Sequence, residues 1–417
     1  MLAPMVRVGS VGFRIFCAAH GADVVFSEEV VAAKLVRCCR EVRVCDESVG
    51  PMVEFVAYEP FKQKYKRSVA FSTPLRSAAD RAGEGAPVVL QLGVSSPEMG
   101  VAAALQCCED VDGIDVNMGC PKKFSVANGM GAALMRDTAR AASILVAIDA
   151  AVNAPERVAV RGRRVPVSFK TRLLETAETT AQMILSVMEK VGPNRVHAIT
   201  LHARTTTQTS ETPPLYDRAA ATVKLLRAHP LLERMCFVLN GSVTCRADGA
   251  IKMTKFGFDS VMIARHAMWD MSVFSHQEQP EGCVVSNEVG ETPLASASWL
   301  ELYRDLLRYQ VKYQTPFMYV KYHLTRSIPC ISAMKHLMTA IQQETSCYED
   351  VAKVLGFPTE EQLGMRDAAP MELVSCIPEG SFHTNDVCHA NCDATNTVQG
   401  CSEVTAAAPV LKKSRKE

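Results

Sequence analysis

The stretch that decides the fold runs from Asp112 to Met135 and reads DGIDVNMGCPKKFSVANGMGAALM. It opens with a short apolar run, Gly113 to Val116, which predicts a buried strand. Gly119 and Pro121 end that strand, because proline lacks an N–H for a ladder and glycine tolerates unusual backbone angles. Cys120 therefore lies on a loop beside lysines, where its thiol can serve as a proton donor or a nucleophile. A cysteine that only fills space is the alternative interpretation.

Strand-length apolar runs alternate with helical patterns on both sides of this stretch. The predicted strands are Leu2–Pro4, Val24–Phe26, Val88–Leu92, Gly113–Val116, Pro166–Lys170, Ala198–Leu201, Cys236–Leu239 and Ser260–Ile263. Such strands, each followed by a helix, are typical of an α/β protein with a parallel (β/α)8 TIM barrel. A doubly wound open sheet is the alternative, but no G-x-G-x-x-G sequence follows the first strand. We therefore predict a TIM-barrel catalytic domain over residues 1–275.

Polar residues stand at or just past the ends of the predicted strands. They are Gln91, Asn117, Cys120, Lys170, His202, Asn240 and Arg265. The carboxyl ends of barrel strands converge on one face, where active sites are built, so the set predicts a site there. Each residue alone also has a structural explanation; Asn240 with Gly241, for example, could form only a turn. The loops after strands seven and eight commonly hold a phosphate, and here they offer small residues and the Arg265 guanidinium.

Three strings carry a resemblance to a known family. They are NMGCPK at residues 117–122, GMGAAL at residues 129–134, and the opening LAPMVRVG at residues 2–9. The first two closely resemble the signature of the tRNA-dihydrouridine synthases, flavin enzymes that reduce a uracil ring in tRNA. The methionine at position 118 and the opening string resemble the eukaryotic subgroup that acts on a single D-loop uridine. The resemblance extends over about residues 1 to 365.

The resemblance implies a cofactor, a reductant and a mechanism. It implies that FMN is bound by Pro4, Met5, Val6, Gln91, Lys170, His202, Asn240, Gly241, Ser242, Ala264 and Arg265. It further implies that NADPH reduces the flavin, that hydride passes to C6 of the uracil, and that Cys120 gives a proton to C5. Asn117 and Arg172 match residues that hold the uracil, which must leave its stack to reach the flavin. Ser242 departs from the family pattern, because the resemblance predicts a second glycine at this position.

Two features are predicted between the second and third strands. Ser27 is expected to cap a helix that runs to Val36. Val53 to Tyr58 and Ser68 to Phe71 are expected to form a hairpin inserted between barrel units. Its basic residues, which fit either a solvated loop or a contact with RNA, are Lys62, Lys64, Lys66 and Arg67.

The sequence changes character after residue 275. Residues 276–297 are rich in Glu, Gly, Pro and Ser and are predicted to form a linker. Residues 298–365 carry helical apolar stripes and predict a small all-α domain, which the resemblance implies to be tRNA-binding. Basic residues alternate there with tyrosines: Arg304, Arg308, Tyr309, Lys312, Tyr313, Tyr319, Lys321, Tyr322, His323 and Arg326. This mixture suits RNA contacts, and a solvated helical bundle with core tyrosines is the alternative.

The last segment, residues 366–417, is polar and rich in small residues, so it is predicted to be disordered. It contains His383, Cys388, His389, Cys392 and Cys401, which invite a zinc interpretation. Their spacing matches no closed tetrahedral site well, and we predict no metal.

Composition limits the partners and the compartment. The chain has 417 residues, with 45 Lys+Arg and 45 Asp+Glu, so any surface that binds nucleic acid must be a local patch. No apolar run of about 18 residues exists, so no membrane partner is expected. The 16 cysteines without a secretory leader favour a reducing compartment, and we expect a cytoplasmic monomer, with the nucleus or an organelle as further locations that stay open. A strand that starts at residue 1 is abrupt, which leaves open a longer N-terminus.

Two other classes of function remain open at this stage. One is a flavin barrel that reduces a small molecule, which would not need helices rich in basic residues and tyrosines. The other is a catalytically silent RNA-binding module. The presence of Cys120, Lys170 and His202 together argues against the second class.

Overall fold

Parallel strands dominate the first 276 residues of the computed structural model, which describes residues 1–44, 47–76, 85–276, 296–327, 335–366, 368 and 372–374. One parallel sheet has the order β1-β5-β6-β7-β8-β9-β10. Its strands are β1 Val25–Val31, β5 Val88–Gly93, β6 Gly113–Asn117, β7 Val167–Arg172, β8 Val196–His202, β9 Cys236–Asn240 and β10 Ser260–Met262. Leu90, Ile114 and Phe169 lie fully buried on these strands, in the main apolar core.

Leu2 closes this sheet into a barrel. It forms parallel bridges with Val25 on one side and with Ile263 on the other. The Leu2 N–H donates to Val24 O at 2.8 Å, and the Ala3 N–H donates to Ile263 O at 2.9 Å. Leu2 thus occupies the place of the first predicted strand, between the two edges of the sheet. The predicted (β/α)8 TIM barrel is confirmed.

Helices follow the barrel strands as the alternating pattern predicts. They are α1 Val11–Ala19, α2 Ala32–Leu35, α3 Pro97–Cys107, α4 Lys123–Ala127, α5 Thr138–Val152, α6 Pro155–Arg161, α7 Ala177–Val191, α8 Tyr216–Arg227, α9 Arg246–Phe256 and α10 Arg265–Trp269. Side-chain caps set several of the starts: Ser96 accepts from the Met99 N–H, and Thr176 and Thr179 form a reciprocal capping box. Short 3-10 turns lie at Gly131–Ala133 and Met271–Phe274.

The prediction of a helix from Ser27 to Val36 is wrong for the first half of that segment. Strand β1 continues to Val31, and only the short α2 is helical. Ser27 does not cap a helix, because it is fully buried and its Oγ accepts the Gln91 N–H at 3.0 Å. The pairing with β5 is irregular between Phe26 and Glu29, so one extra residue is accommodated there and the strand resumes.

A small antiparallel sheet is inserted after α2. Its strands are β2 Cys39–Val44, β3 Pro51–Phe61, β4 Lys64–Pro74 and β11 Leu373–Val374, in the order β11-β4-β3-β2. The predicted hairpin is therefore confirmed as β3 and β4. Arg67, one of its predicted basic loop residues, is instead largely buried in ion pairs with Glu41 and Glu54, each at 2.6 Å.

In the described part of the chain after residue 295, five further helices pack beside the barrel: α11 Ser296–Lys312, α12 Phe317–Ser327, α13 Lys335–Glu344, α14 Tyr348–Val354 and α15 Thr359–Gly364. The buried Tyr303 donates from its hydroxyl to Trp269 O at 3.0 Å, which ties α11 to the end of the barrel. The domain boundaries at residues 275 and 298 stay predictions. Residues 277–295, most of the predicted linker, lie outside the described residues.

The structure describes a few residues of the C-terminal segment that is predicted to be disordered, residues 366–417. Leu373 and Val374 pair with Lys66 and Tyr65 of β4, so this piece of the segment is a strand. Residues 375–417, with the histidines and cysteines considered for zinc, lie outside the described residues. Across the described residues, no group of three or more His, Cys, Asp and Glu side chains is placed to hold a metal ion. None of the helices described is long and apolar enough to span a membrane.

Candidate active site

The register of the barrel strands brings polar side chains together at their carboxyl ends. Residues in register are Glu29 with Gln91, Gln91 with Asp115, Asn117 with Lys170, Arg172 with His202, and His202 with Asn240. Because residues two apart on a strand point to the same side, Asp115 and Asn117 share one face, as do Lys170 and Arg172. Neighbouring strands thus assemble the polar residues that the sequence predicts for the barrel mouth.

Asp115 anchors the network beneath this mouth. It accepts hydrogen bonds from Gln91 Nε2 at 2.8 Å and from Ser168 Oγ at 2.7 Å, and Asn117 Nδ2 donates to Gln91 Oε1 at 3.1 Å. Burial raises the pKa of Asp115 to about 6, although both hydrogen bonds and Lys170 favour its charged form. Asp115 is not among the site residues predicted from the sequence. The available signal was an acidic residue inside an apolar strand, two positions before Asn117.

Asn117 also shapes the loop that carries Cys120. Its Oδ1 accepts the N–H groups of Gly119 and Cys120, each at 3.0 Å, and the Cys120 carbonyl accepts the Ala132 N–H at 3.0 Å. Gly131 has a φ of 58°, and a Cβ there would lie only 2.7 Å from the Cys120 oxygen. The second glycine of the GMGAAL string is therefore required by its backbone angle and by close packing against this loop.

The Cys120 thiol is half-buried, and burial raises its pKa. Glu29 raises the pKa further, whereas hydrogen bonding and the charge of Lys122 lower it. A thiol with a raised pKa keeps its proton at neutral pH. The electrostatics therefore favour a proton donor over a nucleophile, the two roles that the sequence left open.

A cavity of about 480 Å³ lies at the ends of β7 to β10, and Arg172, one of its lining residues, packs against Gly119 of the thiol loop. It is lined by Arg172, His202, Arg204, Gln208, Thr209, Ser210, Asn240, Gly241, Ser242, Val243, Ala264, Arg265 and His266. None of these described lining residues is acidic, and three of them are arginines. Guanidinium groups and backbone N–H groups suit a phosphate dianion, so the donor set fits the predicted phosphate site.

Arg204 is a second residue that the sequence analysis missed. Its Nη2 donates to Ser242 Oγ at 2.8 Å, and its Nη1 lies 3.3 Å from His202 Nε2. Since arginine only donates hydrogen bonds, His202 must accept at Nε2 and carry its proton at Nδ1. Burial, followed by Lys170 and Arg172, lowers the pKa of His202 well below its ordinary value, which keeps the ring neutral.

The loop after β9 has two unusual backbone conformations. Gly241 has a φ of 124°, and Ser242 has a φ of 46°. Because residue 242 has a left-handed backbone conformation, which glycine adopts most easily, the expectation of a glycine there has a physical reason. Asn240 serves the barrel itself, since its Nδ2 donates to Met262 O at 2.8 Å and joins β9 to β10.

Two cationic side chains stand between the cavity and Cys120. Burial, followed by Arg172, lowers the pKa of Lys170 to about 8, while Asp115 and Cys120 oppose the shift. Burial also lowers the pKa of Arg172, whose Nη1 donates to Thr205 O at 2.8 Å. Both cations lie within electrostatic range of the thiol.

The remaining predicted cofactor residues lie at the same end of the barrel. Pro4, Met5 and Val6 follow the Leu2 bridge, and the Met5 carbonyl accepts the N–H groups of Val8 and Gly9 in a tight turn. Ala264 immediately precedes α10, and Arg265 donates from Nη2 to Ser210 O at 3.2 Å. Every predicted site residue thus lies on or just past the carboxyl-terminal part of a barrel strand, and their roles stay predictions.

The rim beside Cys120 exposes a group that the sequence analysis did not single out as a surface. Lys122, Lys123 and Phe124 are exposed, with 61% of Phe124 accessible to solvent. Phe124 lies on α4, which starts directly after the thiol loop. We call these three residues the rim patch. An aromatic ring flanked by lysines is suited to stacking on a base and contacting phosphates.

Several basic residues of the C-terminal helices serve the protein's own structure. His323 is buried against Met268 O at 2.9 Å, and Lys321 donates to Thr345 O at 2.6 Å. Arg304 donates to two carbonyls at the end of α14. Arg308 forms ion pairs with three carboxylates, Glu301, Asp305 and Glu361. These contacts agree with the alternative interpretation, a solvated helical bundle, for this part of the predicted RNA surface.

The fold and the site define a TIM-barrel protein with an arginine-lined cavity and a thiol of raised pKa at its mouth. A family model described as dihydrouridine synthase (Dus) matches residues 1–362, and the chain belongs to that family. The resemblance found in the sequence is thereby confirmed.

Named relatives agree with this assignment. The chain is 30% identical over 336 residues to tRNA-dihydrouridine(20) synthase (NAD(P)+) of Saccharomyces cerevisiae, covering 79% of this chain and 77% of that one. It is 31% identical over 352 residues to the protein of the same name from Schizosaccharomyces pombe, covering 84% of this chain and 64% of that one. Histamine dehydrogenase from Rhizobium sp. 4-9 aligns with a TM-score of 0.39 at 14% identity, over 78% of this chain and 47% of that one. A likeness that weak carries no functional argument.

Proposed function

We propose that this chain reduces the C5–C6 bond of a D-loop uridine in tRNA, with bound FMN and with NADPH as the reductant. The observation that carries the proposal is the Cys120 thiol, whose pKa is raised, within electrostatic range of Lys170 and of Arg172, which lines a cavity with two further arginines. The names of the yeast relatives, which are 30% and 31% identical to this chain, support tRNA as the substrate and NAD(P) as the source of electrons.

FMN fits the donors around the cavity. Arg204, Arg265 and the backbone N–H groups of the loop after β9 would hold its phosphate. Gln91 uses one amide hydrogen for Asp115 and retains a second for the polar edge of the ring system. Lys170 would place positive charge near the N1–C2 edge. Bound FMN, once reduced by NADPH, would supply the hydride that goes to C6 of the uracil.

Cys120 would supply the proton that completes the reduction. As hydride arrives at C6, electron density moves toward C5 and the neighbouring carbonyl. The S–H proton then passes to C5, the sulfur keeps the electron pair as a thiolate, and water returns a proton to it. Asn117 holds the loop that carries the thiol. Arg172, with one N–H group committed to Thr205, has others to donate to a uracil carbonyl.

The rim patch offers a place for the rest of the tRNA. The target base must leave its stack to enter the mouth, so a neighbouring base loses a stacking partner. Phe124 is an exposed ring at the entrance, and Lys122 and Lys123 flank it with positive charge. This local patch is consistent with a chain whose formal net charge is zero.

A reconstituted reaction tests the proposal. Purified protein should be yellow, and with NADPH it should form dihydrouridine in unmodified tRNA. Arg265→Ala should retain less FMN, because a phosphate-binding guanidinium is removed. A colourless protein that added FMN cannot reconstitute would contradict the flavin assignment. NADPH oxidation driven by small unsaturated carbonyl compounds, with no product in tRNA, would instead favour the small-molecule flavin enzyme.

Location and assembly are part of the same proposal. We expect a cytoplasmic protein that acts as a monomer. Fluorescent tagging of the full chain tests its location, and light scattering of the purified protein tests its assembly state.

A further inference from the structure

We propose that Glu29 is a positioning residue for Cys120: its carboxylate accepts the S–H hydrogen bond and keeps the thiol protonated among the cations of the site. The inference rests on the proposed function, because a proton donor is needed only if Cys120 protonates a substrate. Neither the sequence motifs nor the proposed reaction assigns Glu29 a role.

The irregularity in β1 is what turns Glu29 toward the barrel mouth. In an uninterrupted strand, Phe26 and Glu28 would share a face, and Glu29 would point the opposite way. Phe26 lies in register with Val89, but the next register pair is Glu29 with Gln91, so β1 contains one extra residue. Glu29 therefore takes the inward position beside Gln91, which hydrogen-bonds Asp115 and Asn117.

Gly93, at the end of β5, leaves space for the Glu29 carboxylate. A Cβ at Gly93 would lie only 2.6 Å from Glu29 Oε1 and 3.3 Å from its Cδ. A side chain larger than glycine at the end of β5 would displace the Glu29 carboxylate from this place. Gln91, the register partner of Glu29, accepts from Asn117, which holds the Cys120 loop, so the carboxylate lies within electrostatic range of the thiol.

The charges that face the thiol explain why a carboxylate is useful there. Lys122, Lys170 and Arg172 all favour a thiolate at Cys120, and a thiolate has no proton to give. Glu29 opposes them and raises the pKa of the thiol. Burial raises the pKa of Glu29 itself, while the Cys120 hydrogen bond and Lys122 lower it. An ionised Glu29 thus retains the proton on sulfur.

Glu29→Gln removes the charge and keeps the size of the side chain. The thiol pKa should then fall by about one unit, the usual size of one nearby charge. Alkylation of Cys120 by iodoacetamide at pH 7.5 should accelerate about tenfold, measured by mass spectrometry of the Cys120 peptide in FMN-loaded protein. The alkaline loss of tRNA-driven flavin reoxidation should begin about one pH unit lower. Glu29→Asp should restore part of both effects.

Glu28→Gln is the matched control. It removes the same charge from the adjacent residue, whose carboxylate accepts the Arg7 N–H at 2.9 Å. In this variant, the alkylation rate of Cys120 should stay within about twofold of wild type, since the Glu28 carboxylate is directed toward Arg7 and not toward the thiol. Unchanged alkylation of Cys120 in folded Glu29→Gln protein would overturn the inference. Because alkylation needs no tRNA, this readout decides the role of Glu29 even if the wild-type protein fails to reduce tRNA and the proposed function falls.

Discussion

Arg204 donates from Nη2 to Ser242 Oγ at 2.8 Å, and this hydrogen bond joins the loop after β8 to the loop after β9. The same guanidinium lies 3.3 Å from His202 Nε2 and also donates to Thr212 O at 2.7 Å. Arg204 therefore stabilises the wall of the arginine-lined cavity and also contributes positive charge to it. Ser242 makes this contact from a left-handed backbone conformation, with a φ of 46°.

Two substitutions at Ser242 separate backbone strain from the hydroxyl contact. Both Ser242→Gly and Ser242→Ala lose the hydrogen bond to Arg204, but only glycine adopts a positive φ without a steric cost. The glycine variant should therefore be more stable than the alanine variant by about 1 kcal/mol. Urea unfolding of the two FMN-free proteins measures the difference. Equal stability would show that the conformation at position 242 carries no strain.

The partly charged state of Lys170 predicts a pH dependence. With a pKa near 8, Lys170 loses its positive charge as the pH rises through that value. If this charge favours the reduced flavin, reduction by NADPH should slow above about pH 8. Lys170→Arg, which keeps its charge to much higher pH, should move the decline upward by at least one unit. Stopped-flow bleaching of the flavin measures both profiles, and identical profiles would exclude Lys170 as their cause.

Much of the barrel could be predicted from the sequence because glycine, proline and polar residues mark the strand ends. Asn117, Lys170, His202 and Asn240 were all placed at the mouth on that basis, and the register brings them together. The family and its fold are likewise confirmed. Local signals suffice here because each strand of a barrel delivers its end to the same face.

The errors arise where a distant contact overrides a local signal. Ser27 has the residue type of a helix cap, but its hydroxyl accepts the Gln91 N–H from the neighbouring strand. Ser27 lies within the irregular part of β1, where the extra residue turns the Glu29 side chain toward the thiol. Arg204 has no motif of its own, and its role depends on Ser242, which lies 38 residues away in the chain. Such pairs depend on strand register, which period-2 patterns alone do not give.

The rim patch predicts where tRNA is contacted. Phe124→Ala should weaken tRNA binding by about tenfold, the scale of losing one base–aromatic stack. Lys123→Ala should weaken binding and lower the slope of log affinity against log salt by about one. Fluorescence anisotropy with labelled tRNA at several salt concentrations measures both effects.

Two controls accompany the rim variants. Val160→Ala removes an apolar side chain that is 91% exposed on α6, and should leave tRNA binding unchanged. Arg308→Ala breaks the ion pairs with Glu301, Asp305 and Glu361, and should lower thermal stability slightly with the salt slope preserved. A salt slope that falls in Arg308→Ala but not in Lys123→Ala would move the RNA surface from the rim to the C-terminal helices.

Cys120 is the residue at which the competing interpretations differ most. As the proton donor it acts only on the uracil, so Cys120→Ala should stay folded, keep its FMN and be bleached by NADPH at a normal rate. Reoxidation by excess unmodified tRNA should slow by a factor on the order of 10² or more, the usual loss for a general acid. Cys120→Ser should be nearly as slow, because a hydroxyl is a far weaker acid than a thiol.

A structural cysteine would give the opposite pattern. Its alanine variant would melt at a lower temperature and still turn over tRNA at a near-normal rate, because only packing would be lost. The half-buried position of the thiol predicts little loss of stability. The loop should also survive the substitution, since Asn117 holds it through the Cys120 backbone N–H and not through the sulfur. Thermal melting and flavin reoxidation, measured on the same preparations, therefore decide the role: near-wild-type reoxidation in a folded alanine variant removes Cys120 from the mechanism.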